Sequence, residues 1–227
     1  IGDEIAITCT YDEAVTVTGT PQITLANGAV VDYASGSTTA ALVFTYTIAE
    51  GDGDDSDASV ASISVNGGTM KDALGNSAST TIAGGDLGSV VVDSTRPTLS
   101  SVAIATSGSG NANNADVVSL TFTSATDVTT APVCAFSDSG AAMANSPSTA
   151  SGDATGWTCA ITVADDDADG AITYSISFSD ASGNAGTAVT SGSGSVTIDN
   201  THPTLASTTI ATSGTGNANN ADVVSLT

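Results

Sequence analysis

Apolar and polar residues alternate with a period of two along much of the chain. Leu42, Phe44, Tyr46 and Ile48 alternate with Val43, Thr45 and Thr47. Trp157, Cys159, Ile161 and Val163 alternate with Thr158, Ala160 and Thr162, and Tyr174, Ile176 and Phe178 alternate with Ser175 and Ser177. Successive side chains of a strand project to opposite faces, so each run predicts a strand with one face buried and the other wet. Clusters of Gly, Asn, Asp and Ser interrupt the runs and mark turns between antiparallel strands. No segment reads as a convincing helix.

The pattern also repeats over a long period. IATSGSGNANNADVVSLT begins at Ile104 and IATSGTGNANNADVVSLT at Ile210, 210 − 104 = 106 residues later; Pro97 and Pro203, in DSTRPTL and DNTHPTL, share that offset. A period of this size is too long for a solenoid unit and fits tandem, separately folded domains. GDEIAITCTYDEAVTV from Gly2 matches ADVVSLTFTSATDVTT from Ala115, FTYTIAEGD from Phe44 matches CAITVADDD from Cys159, and DALGN from Asp72 matches DASGN from Asp180. The expected fold is all-β: tandem immunoglobulin-like β-sandwiches of about seven antiparallel strands. Residues 1–95 read as a sandwich lacking its first strand, 96–201 as a complete one, and 202–227 as the first strand and start of the second of a further repeat.

Composition narrows the function. The 227 residues carry 24 acidic side chains against two basic ones, a net charge of −22, yet 40% are hydrophobic. That apolar content supplies cores, so the acid excess does not imply disorder. Lys71 and Arg96 alone cannot form a phosphate-binding surface, which argues against nucleic acid and anionic membranes as partners. The apolar runs are strand-sized, so no membrane insertion is expected. His202, the only histidine, takes the linker position of Arg96, and no base stands beside a nucleophile; no enzyme is expected.

GDEIAITCTYDEAVTVTGTPQITLANG, FTYTIAEGD, NGGTMKDALGN and VVDSTRP resemble the large bacterial-type Ig-like repeats of cell-surface adhesins. ITYSISFSDASGNAG and SVTIDNTHPTL resemble a sister subtype. The resemblance implies an extracellular stalk, spacer or surface filament whose partners are neighbouring repeats of the same chain or identical subunits in a fibre. The alternative is an adhesin module that binds surface glycans, ice or a neighbouring cell. A further arrangement has the terminal strand completing the strand-poor first sandwich of another molecule.

ADDDADG places Asp165, Asp167 and Asp169 at alternate positions before Gly170, as in the first half of a calcium loop. The equivalent loop EGDGDDSDA holds Asp52, Asp54, Asp55 and Asp57. An up-and-down strand count puts both loops at the pole facing the next repeat, with Asp93 arriving from the linker and Asp127, Asp180 and Asn184 presented by the following unit. The second junction gathers Asp199, with Asn113 or Asp116 at its border. The expectation is Ca²⁺ clamped between repeats, as between cadherin-type repeats; the rival reading is that Asp and Asn simply shape solvated turns. Cys134 and Cys159 fall on inward-facing positions of strands in opposite sheets and are expected to form a disulfide, with two buried thiols as the rival. Cys9 aligns with Phe122 and is expected to be a buried free thiol.

Overall fold

The computed structural model describes residues 1–227 except 57, 83, 89, 126, 127, 214, 216, 218–222 and 227. The described elements are strands, with no helix among them. The first group comprises β1 (Glu4–Thr18), β2 (Gln22–Leu25), β3 (Val30–Ser35), β4 (Thr39–Thr47), β5 (Val60–Ser64) and β6 (Thr69–Lys71). They form an antiparallel path in the order β5-β2-β3-β4-β1-β6. Register shifts between Thr10 and Val15 of β1 and between Tyr33 and Ser35 of β3 interrupt the ladders. Bulges of this kind bend a strand and let one sheet fold around a core.

The second group comprises β7 (Leu99–Thr106), β8 (Val117–Ser124), β9 (Val133–Asp138), β10 (Ala141–Ala142), β11 (Ser148–Thr149), β12 (Ser151–Asp153), β13 (Gly156–Thr162), β14 (Gly170–Ser177) and β15 (Thr197–Ile198). One antiparallel sheet runs β12-β13-β8-β7; the other runs β10-β9-β14-β15, with β11 also on β9. Residues of both sheets share one core. The pieces outnumber the seven strands expected, because the edges are split into segments of two or three residues by the turns around Gly140 and Pro147.

Burial follows the alternation. Leu42, Phe44 and Tyr46 are buried along β4, and Trp157, Cys159 and Ile161 along β13. One core draws on residues from Ile7 to Val92 and the other on residues from Ile104 to Ile198. Cys134 of β9 and Cys159 of β13 form a disulfide across the two sheets, with Cα atoms 6.3 Å apart. The indole of Trp157 lies within the same core and donates to Ser124 Oγ at 2.9 Å.

The repeat is reproduced at the level of register. Phe122, Leu120 and Val118 of β8 face Trp157, Cys159 and Ile161 of β13. Cys9, Ile7 and Ile5 of β1 face Leu42, Phe44 and Tyr46 of β4 in the same order. Cys9 is a free thiol as expected, but it is half-buried where Phe122 is buried. The difference is the neighbour: β7 covers the edge of β8 away from β13, whereas no described strand pairs with the edge of β1 away from β4 at Cys9.

A last ladder joins β16 (Ile210–Thr212) to β17 (Val224–Leu226). Its pairs Ile210–Leu226, Ala211–Ser225 and Thr212–Val224 copy Ile104–Leu120, Ala105–Ser119 and Thr106–Val118 of β7 and β8.

Candidate functional site

The acidic loops are built twice on one plan. An aspartate four residues beyond an inward-facing Ile or Val folds its loop back on itself: Asp52 Oδ2 accepts the Ala49 amide at 2.9 Å, and Asp167 Oδ2 accepts the Ala164 amide at 2.8 Å. Short Asp side chains favour such turns because they can bond a nearby backbone N–H. Asp52 Oδ2 also accepts the Tyr46 hydroxyl, whereas Asp167 Oδ1 accepts the Ala144 amide from the loop after β10.

Two residues further on, a second aspartate reaches the outgoing linker. Asp54 Oδ1 accepts the Ser94 amide at 2.7 Å, and Asp54 Oδ2 accepts the Thr95 hydroxyl at 2.9 Å. In the second copy Asp169 Oδ1 accepts the Asn200 amide at 2.6 Å, and Asp169 Oδ2 accepts the Thr201 hydroxyl. Ser94 Oγ adds a bond to the Asp52 carbonyl, while the Asn200 side chain donates to the carbonyls of Ala164 and Asp167, each at 2.9 Å. The linker aspartates shape their own turns, Asp93 accepting from the Thr95 amide and Asp199 from the Thr201 amide. Each linker is thus clasped by the loop of the unit it leaves.

This geometry stabilises the anionic carboxylates. The amide of Ser94 and the hydroxyl of Thr95 hold Asp54 below the usual carboxylate range. The hydroxyl of Thr201 and the amide of Asn200 do the same for Asp169. A bonded anion binds its proton less readily.

The far side of the first linker meets the turn containing Asp180 and Asn184. Asp180 Oδ1 accepts the Asn184 amide at 2.8 Å and Oδ2 accepts the Asn184 side chain at 2.9 Å, a staple that Asp72 and Asn76 repeat in the first unit. Asn76 is exposed, but Asn184 is buried and donates to the Asp93 carbonyl at 3.1 Å. The Ile1 amino group bonds Asn184 Oδ1. Arg96 spans the same junction: Nε donates to Glu50 Oε2 at 2.9 Å and a terminal nitrogen donates to the Ala185 carbonyl at 2.6 Å. A groove of about 660 Å³ runs beside it, with Glu50, Arg96, Phe178 and Val189 among its walls.

The residues singled out in the sequence are therefore only partly gathered. Asp52, Asp54 and Asp93 lie along the first linker with Asp180 and Asn184 opposite, while Asp167, Asp169 and Asp199 lie along the second. Asn113 and Asp116 form a turn near the second, where the Asp199 amide donates to the Ala112 carbonyl. Asp55 is tied by its backbone to Val92, Asp165 is exposed, and Asp57 and Asp127 lie outside the described residues. Among the described residues no group of three or more His, Cys, Asp or Glu side chains is placed to hold a metal ion. The clasp carboxylates of Asp54 and Asp169 face N–H and O–H donors.

Sequence reasoning missed the partners of these carboxylates, namely Ser94 with Thr95 and Asn200 with Thr201, and missed Arg96 as a strap. A signal was present: the D-x-D spacing in both loops precedes a D-S/N-T triplet at both linkers.

No family model matches the chain, and no curated protein matches it. Among solved structures, one from Corynebacterium diphtheriae described as "Putative membrane anchored protein" aligns over 93% of this chain and 54% of its own length, at 16% identity and a TM-score of 0.30. The chain thus spans about half of that protein, and the similarity is too low to carry a fold or a function across.

Proposed function

We propose that this chain is a non-enzymatic extracellular segment of a stalk, spacer or surface filament, built of tandem immunoglobulin-like sandwiches joined by clasped linkers. The observation that carries this reading is the recurrence of one clasp, Asp54 on Ser94 and Thr95, then Asp169 on Asn200 and Thr201. A machine that only needed two independent domains would have no use for a fastened linker. A rod that must keep its repeats aligned does. The Cys134–Cys159 disulfide suits an oxidising, extracellular setting. The acid-rich surface favours a hydrated, soluble exterior.

The natural partners of such a segment are further repeats, in the same chain or in identical subunits of a fibre. Calcium enters this reading as a cation bound by the loop carboxylates in addition to the clasp. A higher melting temperature in calcium than in EDTA supports that addition, since a ligand bound only by the folded state stabilises it; superimposed curves remove it. The structural reading itself is tested by electron microscopy of native material. Long uniform fibres support it, and short particles whose isolated repeat binds defined glycans overturn it in favour of an adhesin module.

A further inference from the structure

The second unit is entered and left at opposite poles. β7 leads the chain in from Leu99 to Thr106, and the closing segment, residues 192–199, runs in the same direction beside β7 and the turn after it. Two parallel bridges join them, Ala103 with Ser193 and Ala112 with Ile198. Each bridge is a pair of main-chain bonds. The Ser193 amide donates to the Val102 carbonyl at 2.8 Å and the Ile104 amide to the Ser193 carbonyl at 3.0 Å. Further along, the Ala112 amide donates to the Thr197 carbonyl at 2.8 Å and the Asp199 amide to the Ala112 carbonyl at 2.9 Å.

Direction decides what tension does to such bonds. Inter-strand bonds lie across the strands they join, evenly spaced and slanted in a parallel pair. Strands that run the same way and are pulled from opposite poles must slide past each other, which strains both bridges together. Strands pulled from one pole instead open bridge by bridge.

The residues around Ser193 suit this close approach. A Cβ added to Gly192 would collide with the Val102 carbonyl, and one added to Gly194 with the Ile104 carbonyl. Glycine on both sides of Ser193 therefore lets one backbone lie against the other. Side chains add a second lock, because Ile104, Ala112, Val196 and Ile198 are all buried in the same core. Sliding would drag that apolar surface into water. The Cys134–Cys159 bond ties the two sheets together covalently, so the bridges have to yield before the sheets can part.

We propose that the second unit transmits tension along the chain and that the Ala103–Ser193 and Ala112–Ile198 bridges are the clamp that resists it. Resistance to force is set by the rate of unfolding rather than by equilibrium stability, so the clamp acts through the barrier to sliding. The proposal rests on the stalk reading and deepens it by giving the stalk a pull to withstand. The two fail separately: a weak clamp leaves the long fibres of a stalk visible, and short particles do not alter the force the unit withstands.

The test is single-molecule force spectroscopy of the 227-residue chain in a Cys9→Ser background, with handles on two introduced cysteines. Thr98→Cys with His202→Cys pulls the unit along the chain. Thr98→Cys with Ser191→Cys pulls the same two segments from one pole, since Thr98 and Ser191 line one groove. All three positions are exposed, whereas Cys134 and Cys159 are buried and bonded to each other, so the handles attach only where intended. Unchanged Trp157 fluorescence verifies that each chain is folded. The clamp predicts an unfolding force about twice as large along the chain as from one pole, because two bridges rather than one are strained at once. Gly192→Ala, which pushes the closing segment off Val102, should bring that ratio close to one. Equal forces in the two directions, or a ratio that Gly192→Ala leaves unchanged, overturns the proposal. The comparison of directions needs no substitution within the clamp and decides the question by itself.

Discussion

Asp54 reaches forty residues along the chain to take the amide of Ser94 at 2.7 Å. The bond converts the exit of the first unit from a free tether into a fixed departure, because Thr95 is held by the other oxygen of the same carboxylate. Asp169 does the same for Asn200 and Thr201. A linker anchored at both a backbone and a side-chain donor loses the freedom that lets neighbouring domains swing.

The clasp titrates. Asp54 and Asp169 are both held below the ordinary carboxylate range by their donors. A depressed folded value means the contribution is complete above the ordinary Asp value of about 3.9 and is lost as the pH falls through the lower folded value. NMR titration of the Ser94 and Asn200 amides should give midpoints below that ordinary value, with the thermal stability of the clasped state falling over the same interval. Midpoints at or above it would show that the carboxylates are not bonded to the linkers.

Asp167 tests the inner turn. It is buried and accepts the amides of Ala144 and Ala164 at 2.8 Å each. Asp167→Ala removes two hydrogen bonds to a carboxylate, at a cost of about 1–3 kcal/mol. Urea unfolding should show that loss. Asp165→Ala, at an exposed position in the same loop, should change stability by less than about 0.5 kcal/mol.

The disulfide is expected to contribute to the second core. Closing a loop with a sequence separation of 25 corresponds to about 3 kcal/mol in the chain-entropy picture. Reduction, or paired Cys134→Ser and Cys159→Ser substitution, should lower the urea midpoint of the transition followed by Trp157 fluorescence. The transition of the first unit should stay in place, since its core contains neither cysteine. Coincident shifts of both transitions would show that the units unfold together.

Strand type and inward faces were legible in the residues because period-two alternation is a direct print of the pleat; β4 and β13 bury the residues their patterns select. The Cys134–Cys159 pairing was legible for the same reason, since both positions fall on inward-facing sets of their strands. The roles of the acidic residues were less so. Alternate carboxylates read equally as cation ligands or as turn acceptors, and only the path of the linker shows that Ser94 and Asn200 arrive within hydrogen-bond reach. Cys9 is the free thiol expected, but its alignment with Phe122 overstated its burial, because burial there depends on a covering strand and not on the residue's own strand.

The fixed joint is tested most directly by the distance distribution between spin labels on the two units, at Leu74→Cys and Ser151→Cys in a Cys9→Ser chain. Both label positions are exposed. The proposed fixed joint requires a narrow distribution that broadens when Asp54→Ala and Arg96→Ala remove the clasp and the strap. A broad distribution in the parent, or one unchanged by the two substitutions, would contradict it.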